Sequence, residues 1–244
     1  MDVHAHLLPG IDDGCETVDE SIQCARMMVE AGYSHLICTP HVWPSLPDNC
    51  CVGIPRRVAE FQAVLDAAKI PLKLIPGGEM NFRVDLQKLR PADVVTVGMQ
   101  RRFVLIDIWV DRLPAWFQPA VEWLKSLGLE VILAHPERMR ALQDDWSLID
   151  QLESMNLLCQ GNLQCMGDAP GTRTRKLAEH LLKNHRYFVL GSDLHRPDTL
   201  GLRLAGLKNA IDLMGAEEID RLTVINPRKL ISADLLENQL FNHR

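Results

Sequence analysis

No stretch of this chain approaches the roughly 20 consecutive apolar residues that span a bilayer, which argues against direct membrane insertion. The opening Met1-Asp2-Val3-His4 lacks a basic segment followed by an apolar run, so no secretory signal is expected and the cytoplasm is the expected location. No Cys-x-x-Cys pair occurs among the seven cysteines, Cys15, Cys24, Cys38, Cys50, Cys51, Cys159 and Cys165. That spacing excludes a zinc ribbon, and an odd number in a chain of this size argues against a disulfide framework. Basic charge is also in short supply: the formal net charge is −6. A nucleic-acid partner, which calls for a basic face, is therefore not expected, although bound divalent ions would offset part of the acidic excess.

Repeats, low-complexity tracts and linkers are lacking too, so residues 1–244 are expected to form one domain. The 47% hydrophobic content is ample for one sizeable core. Short apolar runs alternate with amphipathic stretches. Strands are predicted from Val3 into the His4 region and over His35–Cys38, Leu72–Ile75, Phe103–Ile108, Glu130–Leu133, Leu157–Gln160 and Tyr187–Leu190. Helices are predicted over Asp19–Ala31, Pro55–Ala68, Ala115–Leu127, Trp146–Met155, Thr172–Asn184 and Leu200–Met214, with a last polar helix over Ala233–Phe241. Roughly seven strands alternating with helices imply an α/β fold with a parallel sheet, either closed into a barrel or doubly wound.

The chemistry follows the strands. His4, His6, Asp12 and Asp13 come after the first, Thr39-Pro40-His41 after the second, and Gly77-Gly78-Glu79 after the third. Asp107 lies near the end of the fourth. The fifth runs into Ala134-His135-Pro136-Glu137-Arg138, the sixth into Gly161-Asn162, and the seventh into Gly191-Ser192-Asp193-Leu194-His195. In a parallel barrel those ends converge on one rim, where such folds place their active sites. Residues i and i+2 of an extended segment face the same side, so His4 and His6 can share an ion, as can Asp193 and His195. Mixed imidazoles and carboxylates suit manganese, zinc or iron better than calcium. At three or four protein groups per ion, roughly nine ligands serve two or three ions, with Glu79 able to bridge. His35, His180, His185 and His243 lack such company and are set aside. Asp12 is the weaker of its pair, because Asp-Asp-Gly is also a turn signal. Gly77-Gly78 serves either a turn or close approach of the backbone to the ions.

These motifs resemble the polymerase and histidinol phosphatase (PHP) superfamily and, within it, the bacterial manganese-dependent tyrosine phosphatases of capsule and exopolysaccharide systems. The resembling segments are residues 2–14, Thr39-Pro40-His41, Pro76-Gly77-Gly78-Glu79, Ala134-His135-Pro136-Glu137-Arg138 and Gly191-Ser192-Asp193-Leu194-His195, with Ile225-Asn226-Pro227 near the end. The resemblance implies a distorted (β/α)7 barrel with three metal ions, most simply Mn2+, at the strand ends. It implies the ligands His4, His6, Asp13, His41, Glu79, Asp107, His135, Asp193 and His195, with Arg138 holding the substrate phosphate. The implied substrate is phosphotyrosine on the tail of a membrane-associated tyrosine autokinase that controls polysaccharide export. Two departures stand out. Asp107 replaces the family's usual glutamate, one methylene longer, and Gln160-Gly161-Asn162-Leu163-Gln164-Cys165 replaces a more typical Asn-Ala-x-Ser-Leu run.

Such a site supports hydrolysis by water of lowered pKa, with Arg138 and the ions neutralising the phosphoryl oxygens. Asp13 and His41 stand beside Arg138 as candidate catalytic groups; His41 is read as a ligand before it is read as a proton donor. Arg173, Arg175 and Arg196 are further cations near strand-end loops, read as solvated. Three rival readings exist. Cys50 and Arg56 have the Cys-x5-Arg spacing of cysteine phosphatases, but Pro55 removes an amide that a phosphate cradle needs and no histidine precedes Cys50. A PHP esterase acting on a small-molecule phosphate such as histidinol phosphate is the second. A metal-bound regulator that holds a kinase tail without turnover is the third.

Overall fold

The computed structural model describes residues 1–231, so the helix expected over Ala233–Phe241 and the rejected His243 lie outside the described residues. Among the described residues nine strands, all paired in parallel, fall in two sheets. The smaller holds β1 (Asp2–Ala5), β2 (His35–Cys38) and β4 (Lys73–Pro76) in the order β1-β2-β4. The larger is a curled six-strand sheet in chain order, containing β3 (His41–Val42), β5 (Glu79–Asn81), β6 (Phe103–Asp107), β7 (Glu130–Ala134), β8 (Leu158–Asn162) and β9 (Val189–Gly191). A parallel bridge between Ala5 and Leu194 brings the first strand back to the segment after the last. Strand order that follows chain order without reversal selects the barrel-like curl over the doubly wound alternative.

Helices α1 (Val18–Glu30), α2 (Gly53–Ala67), α3 (Phe117–Ser126), α4 (Arg140–Asp144), α5 (Leu148–Ser154), α6 (Leu163–Gly167), α7 (Arg173–Lys183), α8 (Leu200–Met214) and α9 (Ala216–Asp220) connect or follow the strands. Their limits have local causes. Thr17 caps α1 by accepting the Glu20 amide, and Gly32 leaves it at φ +91°. Thr172 caps α7 in the same way through the Arg175 amide. Among the described residues, no helix is long and apolar enough to cross a membrane. All seven cysteines are unpaired thiols.

Strand alternation divides the core in two. Val3, Ile37, Ile75, Phe103, Leu105, Ile132, Ala134 and Val189 face one another inside the curl and are plugged by Val97, Leu230 and Ile231. Their neighbours, among them Leu36, Leu74, Val104, Ile106, Val131 and Leu133, face outward onto the helices. The same period of two positions the polar rim. Phe103 and Leu105 lead inward to Asp107, Ile37 leads through Thr39 to His41, and Ile75 through Gly77 to Glu79. The sequence reading missed β3 and β5 as strands, because each is only two or three residues long and sits just beyond a break at Pro40 or Gly77-Gly78.

Candidate metal centre

His4 lies within β1 and His6 just beyond its end, and their Nε2 atoms lie 3.2 Å apart. Each ring is gripped from behind. Gln160 Oε1 accepts from His4 Nδ1 at 2.8 Å, and Asp12 Oδ2 accepts from His6 Nδ1 at 2.7 Å. The Gln160 amide is itself oriented by donating to the Gly161 carbonyl at 2.7 Å. With the proton of each neutral ring held on Nδ1 by these acceptors, both Nε2 lone pairs are aimed at the same point. Two lone pairs so close repel unless a cation or proton lies between them. Carboxylates surround that point: Nε2 of each ring lies 3.5 Å from Glu79 Oε2 and 3.4 Å from Asp193 Oδ1.

The cluster extends both ways from there. Glu79 spreads its two oxygens, Oε1 at 3.0 Å from His135 Nε2 and Oε2 at 2.9 Å from His41 Nδ1. His41 Nε2 meets Asp13 at 3.2 Å, and His195 Nε2 meets the same Asp13 oxygen at 3.5 Å. At the other end, His135 Nδ1 lies 3.8 Å from Asp107 Oδ1. Four overlapping groups arise: His6 with Asp13, His41 and His195; His4 with His135 and Asp193; His4 with His6 and Glu79; and Glu79 with Asp107 and His135. All nine expected ligands thus stand in one cluster. His4, His6, Glu79, Asp107, His135 and Asp193 are buried, whereas the Asp13 side chain is 58% exposed.

Two of these positions use backbone that L residues seldom adopt. Alternation would send His135 outward with Val131 and Leu133, but a φ of +33° turns it back toward Glu79. Asp193 sits at φ +51°. Such conformations persist only where the surroundings over-determine them. For Asp193 the surroundings are Arg203, a buried guanidinium that donates to the Ser192, Asp193 and Thr199 carbonyls at 2.7, 2.6 and 3.0 Å. The Ser192 amide is fixed in turn on Asp2 Oδ1 at 2.9 Å.

The donors fit divalent ions. Glu79 Oε2 and His41 Nδ1 are buried, yet neither has an aligned hydrogen-bond partner. Leaving such groups unmade costs of order 1–3 kcal/mol each, which a bound cation would recover. Burial would raise Glu79 and Asp193, but the charge on His4 and hydrogen bonds from the neighbouring imidazoles hold both well below the usual carboxylate range. Burial and the Glu79 charge push Asp107 up. Burial and the His6 charge push His195 down.

Arg138 stands at the rim. Its Nη1 donates to Asp193 Oδ2 at 2.8 Å, and its guanidinium lies 4.7 Å above the Trp109 ring centroid. The residues set aside stay apart from the cluster: His35 contacts Ser34, His180 packs on Trp146, and His185 pairs with Glu218. Arg173, Arg175 and Arg196 pair with Asp144, Glu179 and Glu16. Arg56 projects from α2 toward Glu60, which gives the Cys50 spacing no cradle.

Two readings of small motifs sharpen. A Cβ on Gly77 or Gly78 would come within 2.9 Å of Ile37 or 2.7 Å of Val95, so apolar packing, not approach to ions, requires glycine there. Gly14 is required by the site itself, since a Cβ would lie 2.2 Å from the His6 carbonyl oxygen. Sequence reasoning missed Gln160, Asn162, Trp109 and Arg203. Asn162 donates to Asp193 Oδ2 at 2.7 Å, and its amide is held by Glu137 at 2.6 Å. The sixth-strand departure Gln160-Gly161-Asn162 was the visible signal for two of them.

Comparison with known proteins agrees with this architecture. Tyrosine-protein phosphatase YwqE of Bacillus subtilis (strain 168) is 25% identical over 200 residues, 82% of this chain and 78% of the relative. Tyrosine-protein phosphatase CpsB of Streptococcus pneumoniae is 23% identical over 246 residues, 97% of this chain and all of the relative. A solved structure from work on those two proteins, described as unique metal-dependent tyrosine phosphatases, shares the fold at TM-score 0.83 and 24% identity, over 94% of this chain and 93% of that one. A prolidase complexed with N-methylphosphonate-L-proline is a remoter fold neighbour, at TM-score 0.52 and 11% identity, covering 94% of this chain and 73% of that one. The family model described as capsular polysaccharide synthesis, CpsB/CapC, matches residues 1–232, and the chain belongs to that family.

Proposed function

We propose that this protein is a metal-dependent phosphatase that hydrolyses phosphotyrosine, on the tail of a membrane-associated bacterial tyrosine kinase of polysaccharide production. The observation that carries the reading is the convergence of five imidazoles and four carboxylates on one rim with Arg138 at its edge. The relatives named as tyrosine phosphatases support the substrate class. The working place is the cytoplasm, where such a tail is presented. Residues 1–244 act as one domain, with β2 and β3 read as one stave and β4 and β5 as another, which gives a distorted seven-stave barrel.

The residues that would hold the ions are His4, His6, Asp13, His41, Glu79, Asp107, His135, Asp193 and His195, with Glu79 reaching His135 and His41 through its two oxygens. The mixed donor set suits two or three Mn2+ ions, with iron or zinc as substitutes. When bound, such ions lower the pKa of water and neutralise phosphoryl charge. Gln160 and Asp12 keep the His4 and His6 rings in the tautomer that offers Nε2. Arg138 is anchored to Asp193 through one nitrogen, which leaves the rest of its fork to bind phosphoryl oxygens. Asp13 is the solvent-exposed group at one end of the cluster, beside His195, and His41 lies buried next to them. A phenolate leaves with a pKa near 10, so the site has less need of a strong proton donor than an alkyl ester would impose.

The test is phosphate release from a phosphotyrosine peptide by purified protein with manganese, before and after chelation, beside histidinol phosphate. Release that is lost on chelation and restored by manganese is expected. Activity that survives chelation but dies on thiol alkylation would overturn the metal reading. Tight binding of the peptide with no phosphate released would overturn the catalytic one.

A further inference from the structure

Trp109 is the large aromatic left standing in solvent beside the cluster, 60% exposed, yet it is not loose. Its indole N–H donates to Asp107 Oδ2 at 2.8 Å, and Arg138 covers its ring at 4.7 Å. Its ring centroid lies 6.3 Å from that of His135. The other aromatic at the rim differs in exposure: Trp43 is half-buried and stacks on His41 at 4.2 Å, whereas Trp109, with one face under Arg138, keeps most of its surface open. An exposed indole keeps apolar surface wet, while its two contacts hold it in one orientation. Such a ring loses little freedom when a second ring settles on it.

The geometry points to Trp109 as a specificity-determining residue: a platform for the aryl group of an aryl phosphate whose phosphoryl end is bound by Arg138 and the cluster. The inference rests on the reading of the site as a phosphatase centre. The ester substituent of a phosphoryl group held between Arg138 and the Glu79, Asp107 and His135 end has beside it the residue that touches both Arg138 and Asp107. That residue is Trp109. A phenyl ring there gains an aromatic pair, whereas an alkyl substituent leaves the indole wet.

A purely supporting role for Trp109, holding Asp107 and Arg138 in place, affects every phosphate alike. Calorimetric affinities of phenylphosphonate and methylphosphonate for the manganese-loaded protein separate the two roles without turnover. The wild-type protein is expected to prefer the phenyl ligand by roughly five- to tenfold, in line with one aromatic pair plus its buried area. Trp109→Ala should cut that preference to about twofold or less, and Trp109→Phe should keep most of it. The proposal is overturned by a wild type with no preference, by an unchanged preference in Trp109→Ala, or by equal weakening of both ligands in both variants. It is equally overturned if Trp109→Phe loses the preference as fully as Trp109→Ala, because the N–H bond to Asp107 would then carry the effect. Phosphotyrosine peptide hydrolysis by the wild type is read separately; its absence would sink the functional reading while leaving the ligand preference measurable.

Discussion

Asp12 stands behind His6, not in front of it: Oδ2 accepts from His6 Nδ1 at 2.7 Å, and the same oxygen accepts the His41 amide at 3.0 Å. One carboxylate therefore sets the tautomer of one cluster histidine and the backbone of another. Its second oxygen closes the turn on the Gly14 amide at 3.0 Å. The residue that sequence reasoning ranked below Asp13 is the one that positions its neighbours.

Asp12→Ala should weaken manganese binding by about 10–100-fold, the usual cost of losing a carboxylate behind a ligating imidazole. Asp12→Asn should fall between, because it keeps the shape but not the charge. Titration calorimetry on the metal-free protein reads both. Wild-type affinity in Asp12→Ala would remove the positioning role.

Asp107 reaches its end of the cluster only partly, with Oδ2 taken by Trp109 and Oδ1 3.8 Å from His135. Asp107→Glu adds a methylene of reach. Metal loss during dialysis against a chelator should slow in this variant, at the expense of the Trp109 contact. Faster loss would mean that the indole bond, not the reach, governs retention.

Arg203 is expected to matter as much for stability as for the site. Removing a buried charge that three carbonyls depend on costs about 3–5 kcal/mol. Arg203→Met should lower Tm by roughly 6–20 °C for a chain of this size. Arg203→Lys, which cannot fork between the Ser192 and Asp193 carbonyls, should recover only part of it. Thermal unfolding checks the order.

Protons compete for the same imidazoles. Burial alone would depress His135, but the hydrogen bond and charge of Glu79 outweigh it and lift it from 6.5 to about 9; His6 is raised as well. In the metal-free protein the contribution of His135 to stability is full below about 6.5 and is lost as pH rises through about 9. Ligation needs the neutral ring, so manganese affinity should climb across that window, with protons released on binding. Calorimetry in buffers of different ionisation enthalpy measures the release. No proton release at pH 7 would contradict the pairing of His135 with Glu79.

Much of this was legible because period-two alternation carries a strand's apolar residues inside and delivers its last residue to the rim. Phe103, Leu105 and Asp107 obey that rule, and so do Ile37 with His41 and Ile75 with Glu79. His135 does not; a left-handed backbone overrides alternation there, and one sequence gives no sign of it. The order of Asp12 and Asp13 is settled by a turn folding back on His6, which spacing cannot encode. Trp109 and Arg203 were invisible for a related reason, whereas Gln160 and Asn162 showed only as an unusual run after the sixth strand. Neutral or cationic side chains acquire such duties only from what tertiary packing sets beside them.

The bridge between Ala5 and Leu194 joins two segments that are synthesised far apart in time. During synthesis at roughly 5–20 residues per second, the N-terminal imidazoles wait many seconds before Asp193 and His195 leave the ribosome. Until then the groups that include Asp193 or His195 stay open, although His4, His6 and Glu79 are already in hand. The seam between the first and last strands is thereby the last part of the curl to shut.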